Sequence, residues 1–340
     1  MSSRAFITGV SGLELSAAER EFIRGERPWG FILFKRNVET ADQVTSLVQE
    51  LWNCVGEADA PVLIDQEGGR VARLGPPHWP VYPPGATFGA LYDHEPELGL
   101  QAARLSSRLI AADLNDLGIN VDCLPLADVP VAGADAVIGN RAYGTEPAKV
   151  AAIARAVTEG LEQGGVLPVL KHIPGHGRAT ADSHFRLPTV DTPREELERT
   201  DFAAFRPLAD LPMAMTAHVV FSALDPAQPA TTSATIIRQV IRGEIGFQGL
   251  LMSDDVSMNA LAGSIAERTR AIVQAGCDMI LHCNGKLDEM RDVARETPEL
   301  TGEALQRARR ALASRKPPEP LDRLAARAEL DALLDRIGTA

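Results

Sequence analysis

The stretch of the chain richest in reactive side chains is residues 171–184, KHIPGHGRATADSH, which contains three histidines and one aspartate. The apolar residues 166–170 precede it and predict a short buried strand. Pro174, Gly175 and Gly177 interrupt any regular helix or strand, so a loop at the end of that strand is predicted. Histidine changes its charge near neutral pH, and a neighbouring carboxylate can orient its ring. This composition therefore indicates reactive chemistry of the acid–base kind.

Polar residues also follow the other predicted strands at the point where each strand ends. In chain order they are Lys35, Arg36, Asn37, Asp65 to Arg70, Arg73, Asp128, Arg141, His218, Ser253, Asp254, Asp255, His282 and Asn284. The carboxyl ends of the strands in a parallel barrel form one rim, where active sites are built. One polar pocket is therefore predicted on that rim.

Several of these residues have a structural interpretation as well as a functional one. His218 and His282 each fit a hydrogen-bonded structural group as well as they fit a catalyst. Of the neighbours Asp254 and Asp255, one is expected to face the pocket and the other to be structural. Gly68-Gly69 is a tight turn or a phosphate cradle, although no Gly-rich phosphate-binding motif occurs in the chain.

Strands and helices alternate along most of the sequence. Eight short apolar strands are predicted, at about 4–8, 29–34, 61–64, 118–124, 166–170, 211–216, 249–252 and 278–282. Helical patterns lie between them, at 16–25, 41–56, 95–117, 146–164, 194–209, 231–243 and 264–276. Eight such repeats predict an α/β fold with a single (β/α)8 TIM-type barrel, and an open doubly wound sheet is the alternative.

The C-terminal part of the chain is predicted to be a helical tail. After a helix at about 301–314, the segment Lys316-Pro317-Pro318-Glu319-Pro320 makes a stiff break. A final amphipathic helix follows, and it is expected to pack on the outside of the barrel. We therefore predict a catalytic barrel over residues 1–315 and a C-terminal helical tail over 316–340.

The composition limits the kinds of partner that the protein has. Lys and Arg number 34 against 46 Asp and Glu, a formal net charge of −12, so nucleic acid is not an expected partner. The sequence has no signal-peptide pattern and no run of eighteen apolar residues, which predicts a soluble cytoplasmic protein with no membrane partner. We also expect a monomer. The four scattered cysteines are predicted to be reduced thiols.

Several of these motifs together resemble glycoside hydrolase family 3, and more closely its single-domain bacterial β-N-acetylhexosaminidases. The matching segments are FKRN at 34–37, IDQEGGRV at 64–71, KHIPGHG at 171–177, TADSH at 180–184, MTAH at 215–218, SDDVSM at 253–258 and AGCD at 275–278. They run in family order over about residues 30–285, and the loop at 171–184 is the most specific of them. Ile173 stands where the family usually has an aromatic residue.

The resemblance implies a retaining hydrolase of terminal β-linked N-acetylglucosamine, acting on GlcNAc–anhydro-muramyl peptides during cell-wall recycling. It makes Asp254 the nucleophile, His184 the general acid/base and Asp182 the partner of His184. It also implies a set of substrate-binding residues: Asp65, Arg73, Arg141, Lys171 and His172. The loop over 173–190 is expected to close on bound sugar.

Other functions share part of this pattern. A β-glucosidase or a glycoside phosphorylase of the same family is the first alternative. A metal-dependent barrel hydrolase is a weaker one, because no HxH pair follows the first strand and no HExxH occurs. A substrate-assisted hexosaminidase and a non-enzymatic carbohydrate-binding protein are the others. We therefore expect a carbohydrate substrate, no metal and no organic cofactor.

Overall fold

Within residues 3–183 and 186–336, which the computed structural model describes, nine short parallel strands form one nearly closed barrel and two others pair beside it. The strands are β1 (Arg4–Thr8), β2 (Pro28–Leu33), β3 (Val62–Ile64), β4 (Val121–Asp122), β5 (Leu167–Pro168), β6 (Leu170–Ile173), β7 (Thr189–Val190), β8 (Met213–Thr216), β9 (Val220–Phe221), β10 (Leu250–Asp255) and β11 (Met279–His282). Strands β7 and β9 form the separate pair.

The barrel closes through the chain segment that joins β5 to β6. The order of the strands is β5-β4-β3-β2-β1-β11-β10-β8-β6, so β5 and β6 stand at its two ends. Only Val169 separates them in sequence, and its N–H group points to Asp122 O at 3.0 Å and Leu124 O at 2.7 Å. The predicted strand over 166–170 is therefore present in two parts. The barrel prediction is confirmed, and the open sheet is wrong.

Helices cover the outside of the barrel. They are α1 (Ala17–Glu26), α2 (Ala41–Val55), α3 (Gly85–His94), α4 (Pro96–Asp116), α5 (Pro147–Gln163), α6 (Arg194–Arg199), α7 (Asp201–Phe205), a wide helix over Ile236–Glu244, α8 (Ile265–Ala275), α9 (Leu287–Glu296), α10 (Gly302–Ala313) and α11 (Arg323–Leu334). Short 3-10 turns lie at Lys35–Asn37, Gly139–Arg141, Arg206–Leu208 and Ala230–Thr232.

The structure corrects some of the predicted helices. Helices α3 and α9 were not predicted. The single helix predicted over 194–209 is broken at Thr200, whose φ of −117° and ψ of −83° interrupt the helix. The helix predicted from 231 begins at Ile236.

Apolar side chains cover both faces of the barrel strands. In β3, Leu63 packs inside the barrel with Val121 and Met252, while its neighbours Val62 and Ile64 pack outward against the helices. Strands that are buried on both faces are continuous apolar runs, which is the pattern of the sequence.

Helix α10 covers the amino-terminal end of the barrel. Ala308 and Ala311 of this helix are buried in the inner apolar cluster with Ala5 and Trp29. A pocket at the strand ends must therefore open at the opposite, carboxyl-terminal end.

Helix α11 packs beside α4 on the outside of the barrel. Its Leu330 is fully buried, and Arg323 makes an ion pair of 2.6 Å with Asp116 of α4. The division of the chain into a barrel over 1–315 and a helical tail over 316–340 stays a prediction. Across the described part of the chain, no helix combines the length and the apolarity that crossing a membrane requires.

Candidate active site

A cavity of about 340 Å³ opens at the carboxyl-terminal end of the barrel. Its wall contains seven of the eight residues predicted for the site: Asp65, Arg73, Arg141, Lys171, His172, Asp182 and Asp254. The eighth, His184, lies outside the described residues, as does Phe185. The structure thus brings the described candidates together, and their individual roles stay predictions.

Asp65 and Lys171 form the centre of a buried ion-pair network on one side of the cavity. Lys171 Nζ lies 2.8 Å from Asp65 Oδ1, and Arg73 Nη2 lies 3.0 Å from Asp65 Oδ2. Burial would raise the pKa of Asp65, but the two cations outweigh it and lower this pKa far below its usual value. Burial alone would lower the pKa of Lys171, and its carboxylate neighbours raise it instead. Asp65 and Lys171 are therefore both charged at neutral pH.

Glu67 extends this network, and the sequence did not predict a role for it. Its Oε1 lies 2.6 Å from Lys171 Nζ, and its two oxygens accept hydrogen bonds from Arg141 Nη2 at 2.7 Å and Nε at 2.8 Å. The side chain is only 4% exposed. The charges alternate along Arg73, Asp65, Lys171, Glu67 and Arg141, and we call this set the charge ladder. The available signal was the spacing of Asp65 and Glu67, because residues two apart in extended chain point the same way.

His172 is held by a second buried carboxylate. Its Nδ1 lies 2.7 Å from Oδ2 of Asp128, which is fully buried. Oδ1 of Asp128 accepts hydrogen bonds from the backbone N–H groups of His176 at 2.7 Å and His172 at 3.3 Å. The sequence analysis named Asp128 only as a polar residue after a strand, and the structure shows that it contacts the ring of His172.

His176 lies between His172 and the far part of the same loop. Its ring centroid is 5.6 Å from that of His172, and its Nε2 is 3.1 Å from Oγ of Ser183. Burial, followed by the neighbouring ring of His172, lowers the pKa of His176 to about 4. The ring is therefore neutral at physiological pH. Ser183 O also accepts a hydrogen bond from Ala260 N at 3.2 Å, which fixes the segment next to Asp182.

Asp254 and Asp255 stand at the end of β10 and differ in environment. Asp255 Oδ2 accepts a hydrogen bond of 2.6 Å from Ser257 Oγ, and its Oδ1 accepts from the backbone N–H groups of Ser257 and Cys283. Asp254 lines the cavity, and its Oδ1 accepts a hydrogen bond of 2.8 Å from Asp255 N. Asp255 lines the cavity as well, but its contacts favour it as the structural one of the two, and this division of roles stays a prediction.

His218 and His282 have structural contacts on both ring nitrogens. In His218, Nδ1 lies 2.8 Å from Thr231 Oγ1 and Nε2 lies 3.0 Å from Asp255 O. In His282, Nδ1 lies 3.5 Å from Thr8 Oγ1 and Nε2 lies 3.4 Å from Glu289 Oε2. Both side chains are fully buried. These contacts favour the structural interpretation of both histidines, which stays a prediction.

No cluster of three or more His, Cys, Asp and Glu side chains suited to a metal ion occurs among residues 3–183 and 186–336. The four cysteines are free thiols, and burial raises the pKa of Cys283, which lines the cavity, well above its usual value. The described wall of the cavity therefore offers carboxylates, cations and imidazoles as its reactive groups.

Comparisons with known proteins agree with this arrangement. Residues 7–313 match the Glycosyl hydrolase family 3 N terminal domain. A Beta-hexosaminidase of Bordetella avium (strain 197N) is 35% identical over 316 residues, which are 91% of this chain and 88% of that protein.

Two solved structures of NagZ from Neisseria gonorrhoeae share the fold. The native protein has a TM-score of 0.85 at 30% identity, over 100% of this chain and 98% of that one. The complex with N-trifluoroacetyl-D-glucosamine has a TM-score of 0.82 at 30% identity, over 98% of this chain and 99% of that one. The match covers most of the chain and confirms the family predicted from the motifs, so the chain belongs to glycoside hydrolase family 3 and is a glycoside hydrolase.

Proposed function

We propose that this protein is a retaining β-N-acetylhexosaminidase that hydrolyses terminal β-linked N-acetylglucosamine. The name of the Bordetella avium relative and the N-trifluoroacetyl-D-glucosamine complex of NagZ support this substrate class. The observation that carries the proposal is that Asp254 shares one cavity with Asp182 and with four residues of the charge ladder, Asp65, Arg73, Lys171 and Arg141. A candidate nucleophile and a set of groups that bind hydroxyls thus face the same space.

In the first step, a carboxylate oxygen of Asp254 attacks the anomeric carbon and forms an ester bond to the sugar. The glycosidic C–O bond breaks, and the leaving oxygen takes a proton from His184. In the second step, a water molecule gives a proton to His184 and attacks the same carbon. The ester bond breaks and the sugar leaves with its original β configuration. Asp254 sits at the end of β10, where the barrel restricts its backbone and holds the carboxylate in place.

His184 takes the part that a second carboxylate has in most retaining glycosidases. An imidazole has a reference pKa of about 6.5, so it can give and regain a proton near neutrality. Asp182, which lines the cavity two residues before His184, would orient the ring and stabilise its protonated form. We also propose that the loop over 173–190 closes on bound sugar and carries His184 to the leaving oxygen. A crystal structure with bound sugar and this loop still distant would contradict the closure.

The charge ladder supplies the sugar-binding groups. Asp65 is ionised and accepts short, charge-assisted hydrogen bonds from hydroxyl groups of the sugar. Arg73, Arg141 and Lys171 donate to the sugar oxygens, since their charged groups only donate hydrogen bonds.

We further propose that the natural substrate is a GlcNAc–anhydro-muramyl peptide, cleaved in the cytoplasm during cell-wall recycling by a monomer. The resemblance to single-domain bacterial members of the family supports this substrate. Release of N-acetylglucosamine from the purified muropeptide checks the substrate. Light scattering, which measures the mass in solution, checks the monomer. Hydrolysis of chitobiose without hydrolysis of the muropeptide would contradict the proposed substrate, and a dimer mass would contradict the monomer.

The test of the activity is hydrolysis of the nitrophenyl β-glycosides of N-acetylglucosamine and of glucose, each with and without phosphate. We expect release of nitrophenol from the N-acetylglucosaminide, free sugar as the product, and no acceleration by phosphate. A preference for the glucoside would indicate a β-glucosidase, and formation of a sugar 1-phosphate would indicate a phosphorylase. Either result would overturn the proposal, and so would activity that a chelator abolishes.

A further inference from the structure

Asp128 is a fully buried carboxylate with no part in the mechanism above, yet it makes direct contact with a wall of the cavity. It follows β4, and it lies beside His172, which lines the cavity. Its Oδ2 is 2.7 Å from His172 Nδ1, a short distance for a hydrogen bond between nitrogen and oxygen. The two backbone N–H groups on Oδ1 hold the carboxylate in this orientation.

The proton between Asp128 and His172 belongs to the histidine. Burial alone would raise the pKa of Asp128, but the neighbouring histidines lower it to about 2. An ionised carboxylate can only accept hydrogen bonds, so His172 Nδ1 must be the donor. In a neutral imidazole with a proton on Nδ1, the other nitrogen, Nε2, carries a lone pair.

We propose that Asp128 is a positioning residue that fixes the tautomer of His172, so that Nε2 accepts a hydrogen bond from a hydroxyl group of the bound sugar. This inference rests on the proposed function, because it names how one wall residue recognises a carbohydrate. It assigns His172 the role of an acceptor, which the ring would lose in its other tautomer.

The composition of the cavity wall explains why an acceptor is useful there. Arg73, Arg141 and Lys171 are donors only. The oxygens of Asp65 are already shared with two of these cations. Every sugar hydroxyl both donates and accepts, and a buried hydroxyl that finds no acceptor weakens binding. The carboxylates of Asp182, Asp254 and Asp255 also line the cavity, and a lone pair on His172 Nε2 adds an acceptor beside the three cations.

Asp128 is the carboxylate that contacts the ring of His172. His176 is the nearest ring, 5.6 Å away between centroids, and its buried imidazole is neutral. Lys171, the cation that precedes His172 in the chain, makes ion pairs with Asp65 and Glu67. The position of the proton on the His172 ring can be measured directly.

The first experiment is nitrogen-15 NMR of the full-length protein with labelled histidine, using long-range proton–nitrogen correlations near pH 7.5. The His172 signals are assigned by their loss in the His172→Asn variant. We expect a protonated Nδ1 and an unprotonated, pyridine-type Nε2. A proton on Nε2, in either the other tautomer or the imidazolium, would overturn the proposal without any need for a folded variant at position 128.

The second experiment is the same spectrum of Asp128→Asn. The amide oxygen can still accept from the two backbone N–H groups, so the amide nitrogen faces His172 Nδ1. We expect the proton of His172 to move to Nε2. An unchanged tautomer in a folded variant would contradict the assignment. Asp278→Asn is the matched control, because Asp278 is a buried aspartate that also accepts from a backbone N–H, and it directly precedes β11 at the other end of the barrel.

The third experiment measures kcat and KM on nitrophenyl N-acetylglucosaminide and on analogues with one ring hydroxyl replaced by fluorine, which cannot donate. At one position, we expect fluorine to lower kcat/KM of the wild type by roughly tenfold, the loss for one hydrogen bond, and to have little further effect in Asp128→Asn. The same fluorine penalty in both proteins would overturn the proposal. A wild type inactive on every N-acetylglucosaminide would instead overturn the proposed function and leave the tautomer result standing.

Discussion

Glu67 and Arg141 face each other as a bidentate ion pair beside the cavity, with Arg141 Nη2 and Nε at 2.7 and 2.8 Å from the two carboxylate oxygens. Planar pairs of this kind fix the orientation of the guanidinium group as well as its position. Glu67 also contacts Lys171, so one buried carboxylate sets the position of two proposed sugar-binding cations. Arg141 otherwise sits in a 3-10 turn within an irregular segment, where it has few other restraints.

Replacing Glu67 with Gln is expected to leave two buried cations without their shared counter-charge. Removing one partner of a buried pair costs about 3 kcal/mol of unfolding free energy, and kcat/KM is expected to fall by roughly a hundredfold. Urea denaturation and steady-state kinetics measure the two effects.

Two variants control this experiment. Asp288→Asn breaks the exposed ion pair with Arg291, and we expect it to lower the unfolding free energy by less than about 0.5 kcal/mol with no loss of activity. In a variant that already has Arg141→Gln, Glu67→Gln should cost much less activity than it costs alone. Fully additive losses would show that Glu67 does not act through Arg141.

Asp254→Asn and Asp255→Asn are predicted to fail in different ways. The first removes the proposed nucleophile, so kcat is expected to fall by about 10⁴ while the melting temperature changes little. The second disturbs a carboxylate that accepts from Ser257 and Cys283, so it is expected to cost about 1–3 kcal/mol of stability. Thermal unfolding and kinetics of both proteins check this. Intact turnover by Asp254→Asn would exclude it as the nucleophile.

His184→Gly is predicted to slow hydrolysis of chitobiose by about 10²–10⁴, because the poor leaving group needs a proton. Formation of the glycosyl-enzyme from a dinitrophenyl glycoside should be much less affected, since that leaving group departs without one. Stopped-flow measurement of the initial burst separates the two steps. His78→Gly serves as the control, since His78 is exposed. Equal losses on both substrates would count against His184 as the acid.

Stability is predicted to decrease as the pH falls from about 6.5 to 4, because of His176. Its folded pKa of about 4 lies below the value of about 6.5 in the unfolded chain, so the unfolded state binds the proton first. The contribution, up to about 3 kcal/mol, is present above this window and lost within it. The buried carboxylates Asp65, Glu67 and Asp128 have lowered pKa values, so their contributions to stability are lost only at lower pH.

Urea denaturation at pH 7.5, 6.5, 5.5 and 4.5 measures this dependence. His176→Gln keeps a polar group near Ser183 and removes the titrating ring, so its stability should vary much less across the same range. An identical slope in the variant would show that another group is responsible.

Much of the barrel could be predicted because its strands are short apolar runs buried on both faces. Helices α3 and α9 were missed for physical reasons. Gly85 and Gly89 weaken the helical signal of α3, and both pack too closely on the backbone of residues 141–143 for a larger side chain. Helix α9 is mostly charged, and it buries only Met290, Val293 and Ala294. Its apolar residues are spaced as on one face of a helix, but six of its ten residues are charged, so the segment lacks the apolar content that marks a packed helix.

The site could be predicted as far as its location and its candidate residues, because polar side chains follow the strand ends. The contacts between the charged residues of the site could not be predicted. Glu67 lies 74 positions before Arg141, and Asp128 lies 44 positions before His172. Such partners are chosen by the packing of separate strands and loops, and the sequence around each residue does not encode that choice.

The identity of the nucleophile is best tested by trapping the glycosyl-enzyme. The wild type is incubated with a 5-fluoro derivative of N-acetylglucosaminyl fluoride, which slows breakdown of the intermediate more than its formation. Mass spectrometry of the intact protein and of its peptides then locates the sugar. We expect one adduct per chain, in the peptide that contains Asp254 and absent from Asp254→Asn. Turnover of the reagent without any adduct, or an adduct on another residue, would contradict covalent catalysis by Asp254.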